Sequence, residues 1–74
     1  MTEKDVGINA GNIFTLLSHK GRLTIREIGD HTHCRDRVIF MALGWLLREN
    51  KVRFSDRNGL LCVELNSLMV ETSY

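Results

Sequence analysis

The side chains best suited to bind a metal ion lie together in one polar turn. Four candidate ligands fall within this short segment: Asp30, His31, His33 and Cys34. A structural zinc site usually needs four ligands at a recognisable spacing. The only other thiol, Cys62, lies far along the chain, and His19 belongs to an earlier segment. We therefore interpret the segment as polar turn residues and expect no metal and no other cofactor.

No other residues form a catalytic pattern. The chain has no pair of carboxylates placed for acid–base chemistry and no glycine-rich phosphate loop. No spacing joins a nucleophile to a base and to a third group that orients it. The sequence therefore predicts a protein that is not an enzyme.

Arginine is the remaining residue type that points to a partner. Between residues 35 and 57, six basic and three acidic side chains give a local charge of +3, although the whole chain carries only +1. Four arginines in this region are candidate contacts to DNA phosphates: Arg35, Arg37, Arg53 and Arg57. A solvated face of mixed charge is the alternative interpretation.

Length and composition limit the class of protein. The chain has 74 residues, of which 43% are hydrophobic and 26% charged, and this is typical of one small globular domain. So small a core is marginal, which favours association of subunits. No apolar run approaches a membrane span, and the N-terminus does not resemble a signal peptide. We expect a cytoplasmic protein with two reduced cysteines and no membrane contact.

A long apolar helix, predicted from Arg35 to Asn50, has to position the arginines. At about 100° per residue, its core face carries Ile39, Ala42, Leu43 and Leu46. The flanks of this face carry Val38 and Trp45 on one side, and Phe40 and Leu47 on the other. The apolar arc spans roughly 220°, which is wider than one packing face needs. This width favours contact with a second chain, and a helix wrapped by its own neighbours is the alternative.

The side opposite the core carries few residues that read bases. It presents Arg37, Met41, Gly44 and Arg48, whereas base edges are read by side chains such as Asn, Gln, Ser and Arg. Glycine also permits close approach of another backbone. We therefore predict that Phe40, Met41 and Gly44 form a dimer interface on this side, with a two-fold homodimer as the assembly.

Two further helices precede the long one. Helical spacing runs from Val6 to Lys20 and ends at Gly21, after a polar segment, residues 1–5, that we expect to be frayed. Thr24 and Glu27 match a capping box, which predicts a second helix from Ile25 to near Gly29 to His31. The polar turn follows, and Thr32 or Cys34 is predicted to enter the long helix.

Strands complete the pattern. Residues 22–24 predict a short edge strand. Val52 and Phe54 alternate with polar residues and mark the buried side of a strand after the long helix. A turn that contains Asn58 and Gly59 joins it to a second strand, in which the alternating residues are Leu61, Val63 and Leu65.

This order of elements is that of a winged helix-turn-helix. The fold is α+β, with three helices, a small antiparallel β-sheet and a hairpin wing. We expect the domain to span residues 6–65, between a flexible segment at 1–5 and a C-terminal tail at 66–74. In the tail, Leu68 to Val70 show no clear period and are candidates, with the first helix, to extend the dimer interface.

The sequence resembles a small bacterial winged helix-turn-helix family of unknown function. The resemblance covers roughly residues 6–65 and rests on VGINAGNIF, on MALGWLLRENKVRF and on the NG turn before LLCVEL. Its most specific part is MALGWLLREN. The resemblance implies the winged-helix fold, a homodimer, and DNA binding inferred from the fold. It provides no catalytic or ligand-binding residues.

Two functions remain open from the sequence. The first is a homodimeric DNA-binding transcriptional regulator that uses the Arg35 end of the long helix and the wing. The second is a protein-interaction or dimerisation module that has a winged-helix core and no direct contact with DNA. Salt-sensitive retention on duplex DNA would favour the first. A dimer that DNA does not retain would favour the second.

Overall fold

The structure is a computed structural model that describes residues 1–66. The predicted tail, with Leu68 to Val70, lies outside the described residues apart from Asn66. The described elements, in chain order, are α1 (Glu3–Lys20), β1 (Leu23–Thr24), α2 (Ile25–Thr32), α3 (Asp36–Arg48), β2 (Val52–Arg57) and β3 (Leu60–Leu65). The strands form one antiparallel sheet in the order β1-β3-β2. The predicted winged helix-turn-helix architecture is confirmed.

The core lies between the three helices and one face of the sheet. The four core residues predicted for α3 are all buried: Ile39, Ala42, Leu43 and Leu46. The other elements surround them with Ala10, Ile13, Leu17, Leu23, Ile28, Val52 and Val63. No helix within residues 1–66 is both long enough and apolar enough to cross a membrane.

The first helix begins earlier than the polar composition of residues 1–5 predicts. It starts at Glu3, and Thr2 is its N-cap. The Asp5 N–H donates to the Thr2 hydroxyl at 3.3 Å, and the Thr2 N–H donates to the Asp5 carboxylate at 2.9 Å. That backbone bond is the main reason why the pKa of Asp5 is lowered from its ordinary value. The helix therefore starts before the predicted Val6, because this capping box places Glu3 to Asp5 in its first turn.

The second helix begins as its capping box predicts. The Glu27 N–H donates to the Thr24 hydroxyl at 3.1 Å, and the Thr24 N–H donates to the Glu27 carboxylate at 2.8 Å. The helix continues slightly beyond the predicted end, to Thr32, and His33 caps it in the left-handed conformation. Local side-chain bonds therefore determine where α2 starts.

The start of α3 differs from the prediction that Thr32 or Cys34 enters it. Its N-cap is Arg35, which makes no capping bond with its side chain. The Thr32 hydroxyl donates instead to the Ile28 carbonyl of its own helix at 2.7 Å. Cys34 packs against the core. Thr32 and Cys34 therefore do not cap α3.

The wing is a hairpin of β2 and β3, paired from Val52↔Leu65 to Arg57↔Leu60. Its two loop residues, Asn58 and Gly59, both have positive φ, as short hairpin loops require. Phe54 lies by alternation on the buried face with Val52, yet it is 38% exposed. The prediction for Phe54 is therefore only partly right, because the core ends before the wing does.

Candidate nucleic-acid interface

The N-terminal end of α3 places two arginines at the surface. Arg35 precedes the helix as its N-cap, and Arg37 lies in the first turn. Both side chains are exposed, and neither forms an ion pair within residues 1–66. Asp36 lies between them in sequence and offsets one of the two charges. Residues 35–37 therefore have a net charge of +1.

Backbone N–H groups add to the positive character of this end. The N–H groups of Val38 and Ile39 donate to the Arg35 carbonyl at 3.0 and 3.1 Å. Those of Asp36 and Arg37 have no hydrogen-bond partner among residues 1–66, since no side chain caps the helix. Free N–H groups at a helix N-terminus favour anions. Two arginines and two backbone donors are thus available to a phosphate group here.

The predicted arginines of the wing lie on the outer face of the sheet. Arg53 and Arg57 alternate with Val52, which is buried on the inner face. The Arg53 Nε donates to Glu64 Oε2 at 2.6 Å, across the pairing of β2 with β3. The Arg22 Nε lies 3.2 Å from Oε1 of the same carboxylate. Glu64 therefore offsets part of the charge that Arg53 brings to the wing.

The four predicted arginines thus occupy two separate places. Arg35 and Arg37 lie at one end of α3, while Arg53 and Arg57 lie on the outer face of the wing. Arg57, beside the hairpin loop, is exposed and forms no ion pair within residues 1–66. Of the four predicted arginines, those available without breaking an ion pair are therefore Arg35, Arg37 and Arg57.

Arg48 is a further exposed cation that the predicted set of contacts omits. It lies 11 residues after Arg37, and at 100° per residue this spacing returns to within about 20° of the same side of the helix. It forms no ion pair within residues 1–66, because its neighbour Glu49 is paired with Lys51 at 3.2 Å. Helical spacing is the signal that could have added Arg48 to the candidate site.

The predicted dimer interface lies on the exposed side of α3. Phe40 is 47% exposed and Met41 is 49% exposed. Gly44 is exposed too, and a Cβ built there would have no atom within 4 Å. Leu47, on the same flank as Phe40, is 41% exposed. An apolar surface therefore remains open along α3.

The side chain of Trp45, in contrast, packs against other residues of the same chain. It packs against the core, and a Cβ built on Gly7 of α1 would lie 3.4 Å from Cη2 and Cζ2 of its indole. The missing side chain at Gly7 thus leaves room for α1 to pack on Trp45. This contact narrows the open apolar surface to Phe40, Met41 and Leu47.

The polar turn between α2 and α3 contains the candidate metal ligands. Within residues 1–66, no three side chains of His, Cys, Asp or Glu are arranged to hold one metal ion. The Cys34 thiol lies 3.8 Å from the Thr32 carbonyl oxygen, and Cys62 is a free, buried thiol. The polar turn serves instead to end α2 and to lead into α3.

Comparisons with known proteins agree with this fold. The solution NMR structure of protein BT2368 from Bacteroides thetaiotaomicron is similar to this chain, with a TM-score of 0.82 and 32% sequence identity; the similarity covers 100% of this chain and 89% of that chain. No curated protein matches. The family model for the winged helix-turn-helix domain (DUF2582), a typically non-enzymatic fold, matches residues 1–65. The chain therefore belongs to this winged helix-turn-helix family of unknown function.

Proposed function

We propose that the protein binds double-stranded DNA through the N-terminal end of α3. The observation that carries this proposal is the pair of exposed and unpaired arginines, Arg35 and Arg37, at the start of the second helix of a helix-turn-helix. In DNA-binding proteins with this motif, the same part of the helix meets the major groove. The free N–H groups of Asp36 and Arg37 support a phosphate contact at the same place.

The wing contributes a second contact in this proposal. Arg57, next to the hairpin loop, is the wing cation that is free to bind a phosphate. Arg53 belongs to the same surface, with part of its charge already offset by Glu64. The proposed biological role is regulation of transcription by a homodimer, whose interface in this case leaves both copies of α3 free to meet DNA. Such a role requires a compartment that contains DNA, and we propose the cytoplasm.

A combined replacement of the free arginines tests the proposal. Changing Arg35, Arg37 and Arg57 to alanine is expected to weaken binding to a mixed-sequence duplex by about a hundredfold at low salt. The slope of log affinity against log salt concentration should fall by about 2 to 3, because each lost phosphate contact removes roughly one released counterion. Fluorescence anisotropy of a labelled duplex over a salt series measures both quantities.

The matched control is Arg22→Ala. Arg22 is also a surface arginine, but its guanidinium is held at 3.2 Å from Glu64 and lies outside the proposed contacts. We expect its affinity and salt slope to equal those of the parent. If both variants lose the same amount of affinity for DNA, the effect comes from charge in general. If the triple variant binds DNA as tightly as the parent, the proposed surface is contradicted.

The second candidate function is a protein-interaction module that assembles through α3. The open surface of Phe40, Met41 and Gly44 favours it, because a contiguous apolar surface marks an interaction site more often than a scattered one does. A two-fold dimer would bury this surface against its own copy. That dimer would also cover Arg37 and Arg48, which lie on the same side of α3. Contact of α3 with DNA and this dimer therefore exclude each other.

Met41→Glu separates the two candidates. A dimer that buries Met41 should dissociate in this variant, because an unpaired carboxylate is costly to bury. The measurement is sedimentation velocity of parent and variant at matched micromolar concentrations, with Leu60→Glu on the wing as a similarly exposed control. If the parent sediments as a monomer at all concentrations, the dimer is contradicted. If a folded Met41→Glu protein remains dimeric, the interface lies elsewhere on the surface.

A further inference from the structure

Four residues form one exposed stripe along α3. Arg37, Met41, Gly44 and Arg48 follow the spacing i, i+4, i+7 and i+11, so at 100° per residue they lie within about 60° of one another. All four are exposed. We call them the α3 stripe. Its two ends are cations without an ion pair in residues 1–66, and its middle has no strong hydrogen-bonding side chain.

The length of the α3 stripe suits the major groove of B-form DNA. From Arg37 to Arg48 the helix rises by about 16 Å, and the groove is about 12 Å wide. If α3 lies flat across the groove, its two terminal arginines reach the phosphates that border it on opposite strands. The middle of the helix then faces the edges of the base pairs.

The middle of the stripe is unsuited to reading bases by hydrogen bonds. Gly44 has no side chain, and the thioether of Met41 is only a weak acceptor. An apolar side chain can, however, contact the methyl group of thymine. Packing within residues 1–66 does not explain Gly44, because a Cβ there would meet nothing within 4 Å. A close approach of the helix backbone to DNA would explain it.

We propose that α3 lies flat in the major groove and binds duplex DNA of almost any sequence. Arg37 and Arg48 bind phosphates on opposite strands, and Met41 contacts thymine methyl groups. This inference rests on the proposed DNA binding and adds the class of substrate to it. The partner is B-form duplex with a mild preference for A·T pairs, and no operator of defined sequence is required.

One acidic side chain opposes this contact. Glu3 of α1 and Arg48 line the same depression in the protein surface, and Glu3 forms no ion pair within residues 1–66. A phosphate bound by Arg48 would add a second negative charge to the depression that Glu3 lines. Glu49 lines the same depression, but Lys51 Nζ lies 3.2 Å from its carboxylate and offsets its charge. Removing the charge of Glu3 is therefore expected to strengthen binding.

Anisotropy with short A·T-rich, G·C-rich and mixed duplexes tests the inference. We expect the affinities to agree within about tenfold, whereas operator-binding proteins discriminate by factors of about a thousand or more. Replacing thymine by uracil should weaken binding about fourfold for each contacted methyl group. The Met41→Ser variant should bind the thymine and uracil duplexes equally well. The Leu60→Ser variant, changed at an exposed residue of the wing, should still bind the thymine duplex more tightly.

Charge variants test the flat orientation. Arg48→Gln should lower the salt slope by about 1 and weaken all duplexes equally. Arg22→Gln should change neither quantity, and Glu3→Gln should bind more tightly than the parent. These results would support two phosphate contacts at opposite ends of α3.

Three results would overturn the inference in distinguishable ways. An unchanged Arg48→Gln protein, beside a weakened variant of Arg35, Arg37 and Arg57, would reject the flat orientation and leave the proposed function intact. A preference of about a thousandfold for one duplex would reject sequence tolerance alone. Failure to bind any duplex at low salt would reject the proposed function itself. If the parent is then a dimer and Met41→Glu a monomer in sedimentation, the partner of the α3 stripe is a second copy of the chain.

Discussion

Replacing Leu43 by alanine is expected to lower the free energy of unfolding by about 2–5 kcal/mol, the range for emptying a packed core site. Leu43 is fully buried at the centre of α3, the helix around which the core is built. A domain of this size has a total stability on the order of 5–10 kcal/mol. The variant should therefore be largely destabilised at physiological temperature. Urea unfolding followed by circular dichroism measures the change.

Leu47→Ala provides the matched control. It removes the same atoms from the same helix, but Leu47 is 41% exposed and leaves no closed cavity. We expect a loss of about 1 kcal/mol or less. Leu46→Ala, at a buried position of the same face, should resemble Leu43→Ala. If Leu43→Ala and Leu47→Ala lower the free energy of unfolding by similar amounts, the orientation of α3 relative to the core is contradicted.

Gly21→Ala is expected to destabilise the domain by about 1–3 kcal/mol, although the new methyl group has space. Gly21 ends α1 with φ of 79° and ψ of −144°, a conformation that is almost restricted to glycine. A Cβ built there would meet no atom within 4 Å. The expected cost therefore comes from backbone strain and not from a clash. Thermal unfolding of the variant measures it.

Gly44→Ala is expected to change the stability of the domain in the opposite direction. Gly44 is helical and has equal space around it, so alanine should stabilise the domain by about 0.5–1 kcal/mol through its higher helix propensity. The two substitutions add the same methyl group and differ only in backbone conformation. A neutral Gly21→Ala would show that α1 ends in another conformation. A destabilising Gly44→Ala would show that this side of α3 is covered.

Short-range patterns in the sequence determine most of the fold. The capping box of Thr24 and Glu27, the period of α3 and the Asn58–Gly59 turn each act over a few residues, so residue types and spacing are enough to locate them. The box of Thr2 and Asp5 acts over the same short range. Its sequence signal is weaker, because aspartate replaces the usual glutamate or glutamine, and the polar composition of residues 1–5 therefore suggests a frayed end instead.

Only the tertiary structure decides which surfaces remain available to a partner. Arg53 and Glu64 are 11 residues apart, and they meet only because the hairpin register sets them opposite each other. Phe54 alternates correctly but lies beyond the end of the core, since burial depends on what the helices cover. Trp45 is satisfied by the distant Gly7, whereas Phe40 and Met41 stay open. A local pattern states which face of an element is apolar, but contacts between distant segments determine how much of that face is covered.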